Sequence, residues 1–300
     1  MDKIDFAKIY SVSKLSLFEQ CAKAYHFSYV DEVYIKMKSQ LRRDPANLWS
    51  FNTLGKAVHD SITLYFYLPK KEQTLKNLKD QLKLAWRSEA MFNKLPPLGK
   101  WGGFKTLDEE RQYYKKALTM LVNFYNNFKF SKTVEFIPTK DILRSIEDYK
   151  KLIKPLNKKY DVSGKFDLIL SQTSNLEKVK EALAIIDFKT SKNEDANDFQ
   201  LRFYKLLAEL NFKKPVTKAS FYYLASGNIK EYDLDKLDSK EIKKEVLEKI
   251  DDILKEKEFA PKPSKLCKFC MFKSFCPAKK EIFKLVDRPM QEEFIEDLPF

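Results

Sequence analysis

Ala184-Ile185-Ile186-Asp187-Phe188-Lys189-Thr190 is a short apolar run, rich in β-branched residues, that ends by placing an acid and a lysine two residues apart. A run of this length and composition reads as a buried strand. Side chains alternate faces along a strand, so Asp187 and Lys189 project from one side and Phe188 from the other. An acid and an amine held together at the end of a core strand are costly to desolvate unless the arrangement is used.

The segments around this strand predict a mixed α/β architecture. Residues 133–138, 160–170 and 181–190 are β-type runs, and the polar turn at 171–176 pairs the last two as a hairpin. Residues 195–210 predict a helix, 216–225 and 229–234 two further strands, and 239–258 a charged helix. Upstream, 51–67 predicts a helix carrying Gly55, His59 and Asp60. Residues 71–93 and 108–128 predict two more, separated by the Pro/Gly breaker at 95–103. Near the amino terminus, 11–21 reads as a helix capped by Ser13. The aromatic segment 25–34 reads as core, and the polar stretch 36–50, with Pro45, as a loop. The pattern is an α/β core with helical elaboration.

The chain has 300 residues, enough for a sizeable core, and its 44% apolar content is that of a globular protein. No run is long enough to span a bilayer, and MDKIDFAKIY lacks the basic and apolar regions of a signal peptide. A cytoplasmic protein is expected. The net charge of +13 favours a polyanionic partner, although the lysines are spread through nearly every segment.

The four cysteines are Cys21, Cys267, Cys270 and Cys276. Disulfides are rare in the cytoplasm, so C-x2-C-x5-C with one distant cysteine points to a bound metal. Four thiolates suit either a 4Fe–4S cluster or zinc.

Four further features follow in order: Gly55-Lys56-Ala57-Val58-His59, Gly164-Lys165-Phe166-Asp167, Asp187-Phe188-Lys189, and Gln200-Leu201-Arg202-Phe203-Tyr204. Gln200 and Tyr204, four apart, share one helix face. This ordered set resembles the PD-(D/E)XK nuclease superfamily, and within it the RecB/AddB-like branch: a helix His, a G-x-x-D strand, a D/E-x-K strand, then Q-x-x-x-Y. The opening SVSKLSLFEQCAKAYHF also resembles that branch, with Ala22 where a Pro often follows the cysteine.

The resemblance implies a restriction-endonuclease-like mixed β-sheet flanked by helices, with residues 1–280 as the nuclease domain. Residues 60–130 would be its helical elaboration, 264–280 its cluster-binding segment, and 281–300 an acidic tail. It implies a DNA nuclease in which His59, Asp167, Asp187 and the Phe188 carbonyl bind Mg2+ or Mn2+. Lys189 would direct the attacking water, while Gln200 and Tyr204 position Lys189 or the scissile strand. Hard oxygen donors suit Mg2+, and a His ligand admits Mn2+. Glu135 is a further acid that could lie near the metal. By the same resemblance, Cys21, Cys267, Cys270 and Cys276 would hold a 4Fe–4S cluster, stapling the two ends of the chain, with zinc as the alternative.

No G-x-x-x-x-G-K-[ST] loop occurs, so a helicase motor would be a separate polypeptide. The terminal stretch 290–300 reverses the charge of the chain and ends Leu-Pro-Phe, similar to the acidic tip of bacterial single-stranded-DNA-binding proteins. It is a candidate contact for a DNA-repair partner. The expected activity is exonucleolytic, on single strands or DNA ends, in recombination, repair or phage DNA metabolism. A spacer-trimming nuclease of CRISPR adaptation and a DNA-end-binding module that does not cut are the alternatives.

Overall fold

A computed structural model of the chain describes residues 5–91, 93–128, 133–137, 152–173, 181–191 and 197–286. After the short strand β1 (Ile9–Tyr10) come helices α1 (Val12–Gln20), α2 (Ala22–Tyr29), α3 (Glu32–Leu41), α4 (Ser50–Phe66), α5 (Leu75–Ala85) and α6 (Leu107–Asn127). Strands β2 (Thr133–Phe136), β3 (Lys154–Pro155), β4 (Asp161–Val162), β5 (Leu168–Thr173) and β6 (Glu181–Lys189) follow. The chain continues through α7 (Phe199–Phe212), β7 (Val216–Tyr223), β8 (Asn228–Asp233), α8 (Ser239–Lys255) and α9 (Lys279–Leu285). None of the described helices is long and apolar enough to cross a membrane.

The chain divides into two compact units, one of residues 1–12 and 49–248, the other of residues 13–48 and 249–300. In the first, the main sheet runs β2-β5-β6-β7-β8. β6 and β7 pair in parallel, and the other neighbours pair antiparallel. A parallel pair needs a long crossover, and α7 supplies it. β6 is central, flanked by β5 and β7, which explains why 182–188 is almost continuously apolar. A smaller sheet runs β1-β4-β3.

The core of this unit forms where α4, α5 and α6 meet the sheet. Val58, Ile62 and Tyr65 recur at helical spacing on α4 and are buried against Leu78 and Leu82 of α5 and Leu121 and Phe124 of α6. Phe188 joins this cluster from the sheet, its ring edge-on to Phe124 at 5.6 Å and tilted against Tyr222 at 6.1 Å. Burying such a side chain stabilises the fold by roughly 1.5–3 kcal/mol. Odd and even residues of β6 therefore part as alternation predicts, with Phe188 fixing the face that Asp187 and Lys189 do not use.

Three expectations are corrected. The run 160–170 is not one strand: β4 ends at Val162 and β5 starts at Leu168. The break is at Gly164, where a Cβ would lie 2.9 Å from Leu207 and 3.2 Å from Tyr204 of α7, so the helix's close approach requires glycine. The loop expected over 36–50 is shorter, because α3 continues to Leu41. Asp31 caps it, accepting from the backbone N–H groups of Val33 and Tyr34. Finally, α1 begins at Val12, one residue before the expected Ser13 cap.

In the second unit, Phe27, Leu41 and Phe272 form a small core flanked by Tyr34, Met37 and Phe275. The aromatic segment 25–34 spans the end of α2 and the start of α3, and its rings pack against the cysteine-bearing segment of the same unit.

Candidate active site

The end of β6 carries a cluster of charged contacts. The register Leu168↔Ile186 places Asp167, the residue before β5, across from Asp187. Asp167 Oδ2 accepts from the Phe188 backbone N–H at 3.0 Å, and Asp167 Oδ1 lies 3.0 Å from His59 Nδ1. His59 is brought there by α4, whose Gly55 lets the helix approach the strand end. A Cβ at Gly55 would come within 3.1 Å of Thr190 Oγ1. The His59 ring also stands edge-on to Phe188, with centroids 6.2 Å apart.

Asp187 and Lys189 meet as the spacing predicts, with Nζ 2.6 Å from Oδ2. Gln200, in the first turn of α7, ties the two together. Its amide nitrogen donates to Asp187 Oδ1 at 2.8 Å, and its carbonyl oxygen accepts from Lys189 Nζ at 2.8 Å. The Lys189 ammonium also sits 4.9 Å above the ring of Phe221, a cation–π contact from the neighbouring strand. Tyr204, one turn beyond Gln200, is buried with its ring against Phe166 at 5.4 Å. Arg202 fixes this turn of α7 from the other side, pairing with Asp198 at 2.7 Å and Glu245 at 2.9 Å.

The electrostatics separate the two acids. Burial, reinforced by the Asp167 charge, pushes the Asp187 carboxyl up to about 6 against the opposing pull of Lys189. Burial also opposes ionisation of Asp167, but the charge and hydrogen bond of His59 and the Phe188 N–H outweigh it, and its pKa is lowered. For His59 the Asp167 carboxylate overcomes burial, and its pKa is raised. Burial and the two carboxylates push the Tyr204 hydroxyl upward, so it stays protonated at neutral pH. Two acids with oppositely shifted pKa values in one site are a frequent mark of function.

His59, Asp167, Asp187, Lys189, Gln200 and Tyr204 are thus brought together from four segments. Lys165 was passed over in the sequence, yet its charge acts on both His59 and Asp167. Glu135 is corrected: it pairs with Lys214 at 2.8 Å, and the same Lys214 lies 3.1 Å from Glu181, at the opposite end of β6 from Lys189.

Among the described residues, no group of three or more His, Cys, Asp and Glu side chains is closed around a common point as a metal site. The donor chemistry nonetheless fits a hard divalent cation. Asp187 Oδ2 is buried, and its contact with Lys189 is an ion pair with no aligned hydrogen bond. A neutral His59 donating through Nδ1 to Asp167 keeps its Nε2 lone pair for a metal.

The cysteines lie in the second unit. Cys21, Cys267, Cys270 and Cys276 line one pocket together with Phe27 and Phe272, and none forms a disulfide. The Ser264 backbone N–H donates to Cys267 Sγ at 3.3 Å, and backbone N–H groups of Phe272 and Ala278 reach Cys270 and Cys276. Burial, with smaller contributions from the other three sulfurs, pushes the Cys270 thiol up to about 11. Four sulfurs lining one pocket, three of them with backbone N–H donors, fit a thiolate-bound metal group, whose positive charge would relieve their mutual repulsion.

A solved structure titled "Crystal structure of SSO0001" is similar to this chain at 20% identity, over 58% of this chain and 80% of that one, with a TM-score of 0.26. A comparison with curated proteins finds no match. The family model of the PD-(D/E)XK nuclease superfamily matches residues 9–277, a span that includes every side chain of the β6 site and all four cysteines. The chain belongs to the PD-(D/E)XK nuclease superfamily.

Proposed function

We propose that the chain is a Mg2+- or Mn2+-dependent deoxyribonuclease of the RecB/AddB-like branch, acting exonucleolytically on single strands or DNA ends in recombination, repair or phage DNA metabolism. The observation that carries this reading is the Gln200 amide, which holds Asp187 and Lys189 at 2.8 Å each beside the Asp167–His59 pair. A purely structural ion pair has no need of a second acid whose charge raises the first.

In this reading Asp167, Asp187, His59 and the Phe188 carbonyl hold the metal. When bound, it supplies a Lewis acid for the phosphate oxygen and lowers the pKa of water. Lys189 orients the attacking water and offsets the negative charge that develops on the phosphate. Gln200 keeps Lys189 aimed and Asp187 oriented. Tyr204 donates its hydroxyl within the site and fixes Gln200 from the next turn.

Cys21, Cys267, Cys270 and Cys276 hold a 4Fe–4S cluster in this reading, with zinc as the second choice. Joining positions so distant in sequence closes a long loop and links folding to metal binding. The nuclease domain is taken as residues 1–280. The tail at 290–300, outside the described residues, is the proposed contact for a repair or single-strand-binding partner, and a separate helicase supplies any motor.

The test is incubation of end-labelled single- and double-stranded DNA with Mg2+ or Mn2+, with EDTA as control. Shortening of labelled strands only when metal is present supports the proposal. Intact DNA with either ion, from protein that melts cooperatively, overturns it.

A further inference from the structure

Arg87 is a partly buried side chain with no ion-pair partner among the described residues. Its Nε and Nη2 atoms are both buried, and neither meets a hydrogen-bond acceptor. No carboxylate pairs with it among the described residues. Buried N–H donors are ordinarily hydrogen-bonded, and two left open on one guanidinium call for a ligand with acceptor oxygens.

The surroundings say what kind of ligand. Arg87 lies in the segment that follows α5, and that segment is held rigidly. Its neighbour Trp86 donates through Nε1 to the buried carboxylate of Glu110 at 3.2 Å. Glu110 also accepts from the backbone N–H groups of Leu98 and Gly99, at 2.9 Å each. Ser88, on the other side, donates its hydroxyl to the Trp101 carbonyl. Between Trp86 and Lys105 the chain carries Arg87, Lys94, Lys100 and Lys105 against Glu89 as its one acid, and all three lysines are exposed. The segment therefore carries an excess of positive charge.

The same segment is fastened to the part of α4 that reaches the β6 site. Thr53 donates to the Gly102 carbonyl at 2.9 Å. Gly103 sits so close to the start of α4 that a Cβ would fall 2.5 Å from the Trp49 carbonyl carbon. Glu89 lies 3.4 Å from Lys56, one helical turn before His59. Gly55, beside Lys56, is the residue that packs on Thr190 at the end of β6. Arg87 is therefore tied through Glu89 and Lys56 to the helix that carries His59.

We propose that Arg87 is a binding residue for a backbone phosphate of the DNA strand, a few linkages from the scissile bond, and that the segment from Trp86 to Lys105 forms this side of the strand's path. The proposal rests on the reading of the chain as a DNA nuclease. The guanidinium fork suits two phosphate oxygens at once and leaves the bases unread, so the contact holds any sequence.

The experiment measures binding of a labelled single-stranded oligonucleotide in EDTA, across a salt series, by the full chain and by Arg87→Gln and Arg87→Lys. Arg87→Gln should weaken binding about tenfold and lower the slope of log K against log salt by about 0.7, the value for one phosphate contact on a single strand. Its melting temperature should hold or rise, since two buried N–H groups without acceptors are removed. Arg87→Lys should keep the slope and lose part of the affinity, because it retains the charge but not the fork. A neutral methylphosphonate moved one linkage at a time should weaken wild-type binding at one position and have no such effect there in Arg87→Gln. Unchanged affinity and slope in Arg87→Gln, while wild type binds and cuts DNA, would overturn the Arg87 assignment alone. A marked drop in its melting temperature would show that Arg87 braces the fold, and would also overturn it. Failure of wild type to bind DNA would remove the nuclease reading and this proposal together.

Discussion

Asp187→Asn is expected to stabilise the metal-free protein at pH 7.5 and to leave its stability almost unchanged at pH 4. The Asp187 carboxyl is raised from 3.8 to about 6, by burial first and the Asp167 charge second. A rise of about two pH units corresponds to roughly 3 kcal/mol. Between about pH 4 and pH 6 the folded protein keeps a proton that the unfolded chain has released, so stability falls as pH rises through that window. Above it the folded state carries the whole penalty. Asn is nearly the same shape, keeps an oxygen for the Gln200 amide to donate to, and has no charge to desolvate. Lys189 loses its ion partner but keeps Gln200, which reduces the expected gain to about 1–3 kcal/mol. The raised His59 titrates in both proteins and cancels in the difference, apart from its weak coupling to Asp187. Urea unfolding of both proteins in EDTA, at pH 4 and pH 7.5, measures the effect. A gain of equal size at both pH values, or a loss at pH 7.5, would refute the electrostatic account of this carboxylate.

The same carboxylate makes metal binding pH-dependent. Below about pH 6 a metal must displace protons from both Asp187 and His59, whose pKa is also raised, so the apparent Mn2+ affinity from calorimetry should fall by more than tenfold per pH unit, and a flat profile would exclude both as ligands. Phe188→Ala should destabilise the first unit by about 3–5 kcal/mol, because the ring is buried against Phe124 and Tyr222; urea melts check this. Cys270→Ser should remove a chromophore and bound iron from anaerobically purified protein, as read by visible absorption and metal analysis. Colourless wild-type protein with one zinc per chain would replace the cluster with zinc.

The local half of the site was legible because it depends on short-range periodicity. Two-residue alternation in β6 separates Asp187 and Lys189 from Phe188, and four-residue spacing on α7 places Gln200 and Tyr204 on one face. Sheet register is different, since nothing local specifies it. The β2–β5 pairing, Thr133 opposite Ser171, puts Glu135 with Lys214 and away from Asp187, and a sequence gives no view of that. The break in 160–170 was also hidden. Gly164 looked like a strand glycine, and its reason, the close passage of Leu207 and Tyr204, belongs to a helix some forty residues later. Lys165 and Arg87 were missed for another reason. Their meaning lies in the charges around them, His59 and Asp167 for the one and no acceptor for the other, and composition does not record neighbours.

The most direct measurement is the rate of cleavage of end-labelled DNA in Mn2+ by wild type and by Lys189→Met, which keeps the length of the side chain and removes its charge. The account predicts metal-dependent cutting by wild type and a loss of about 10^2-fold or more in Lys189→Met, with its cooperative melt retained. Cutting by Lys189→Met at the wild-type rate, or cutting by wild type that persists in EDTA, would contradict it.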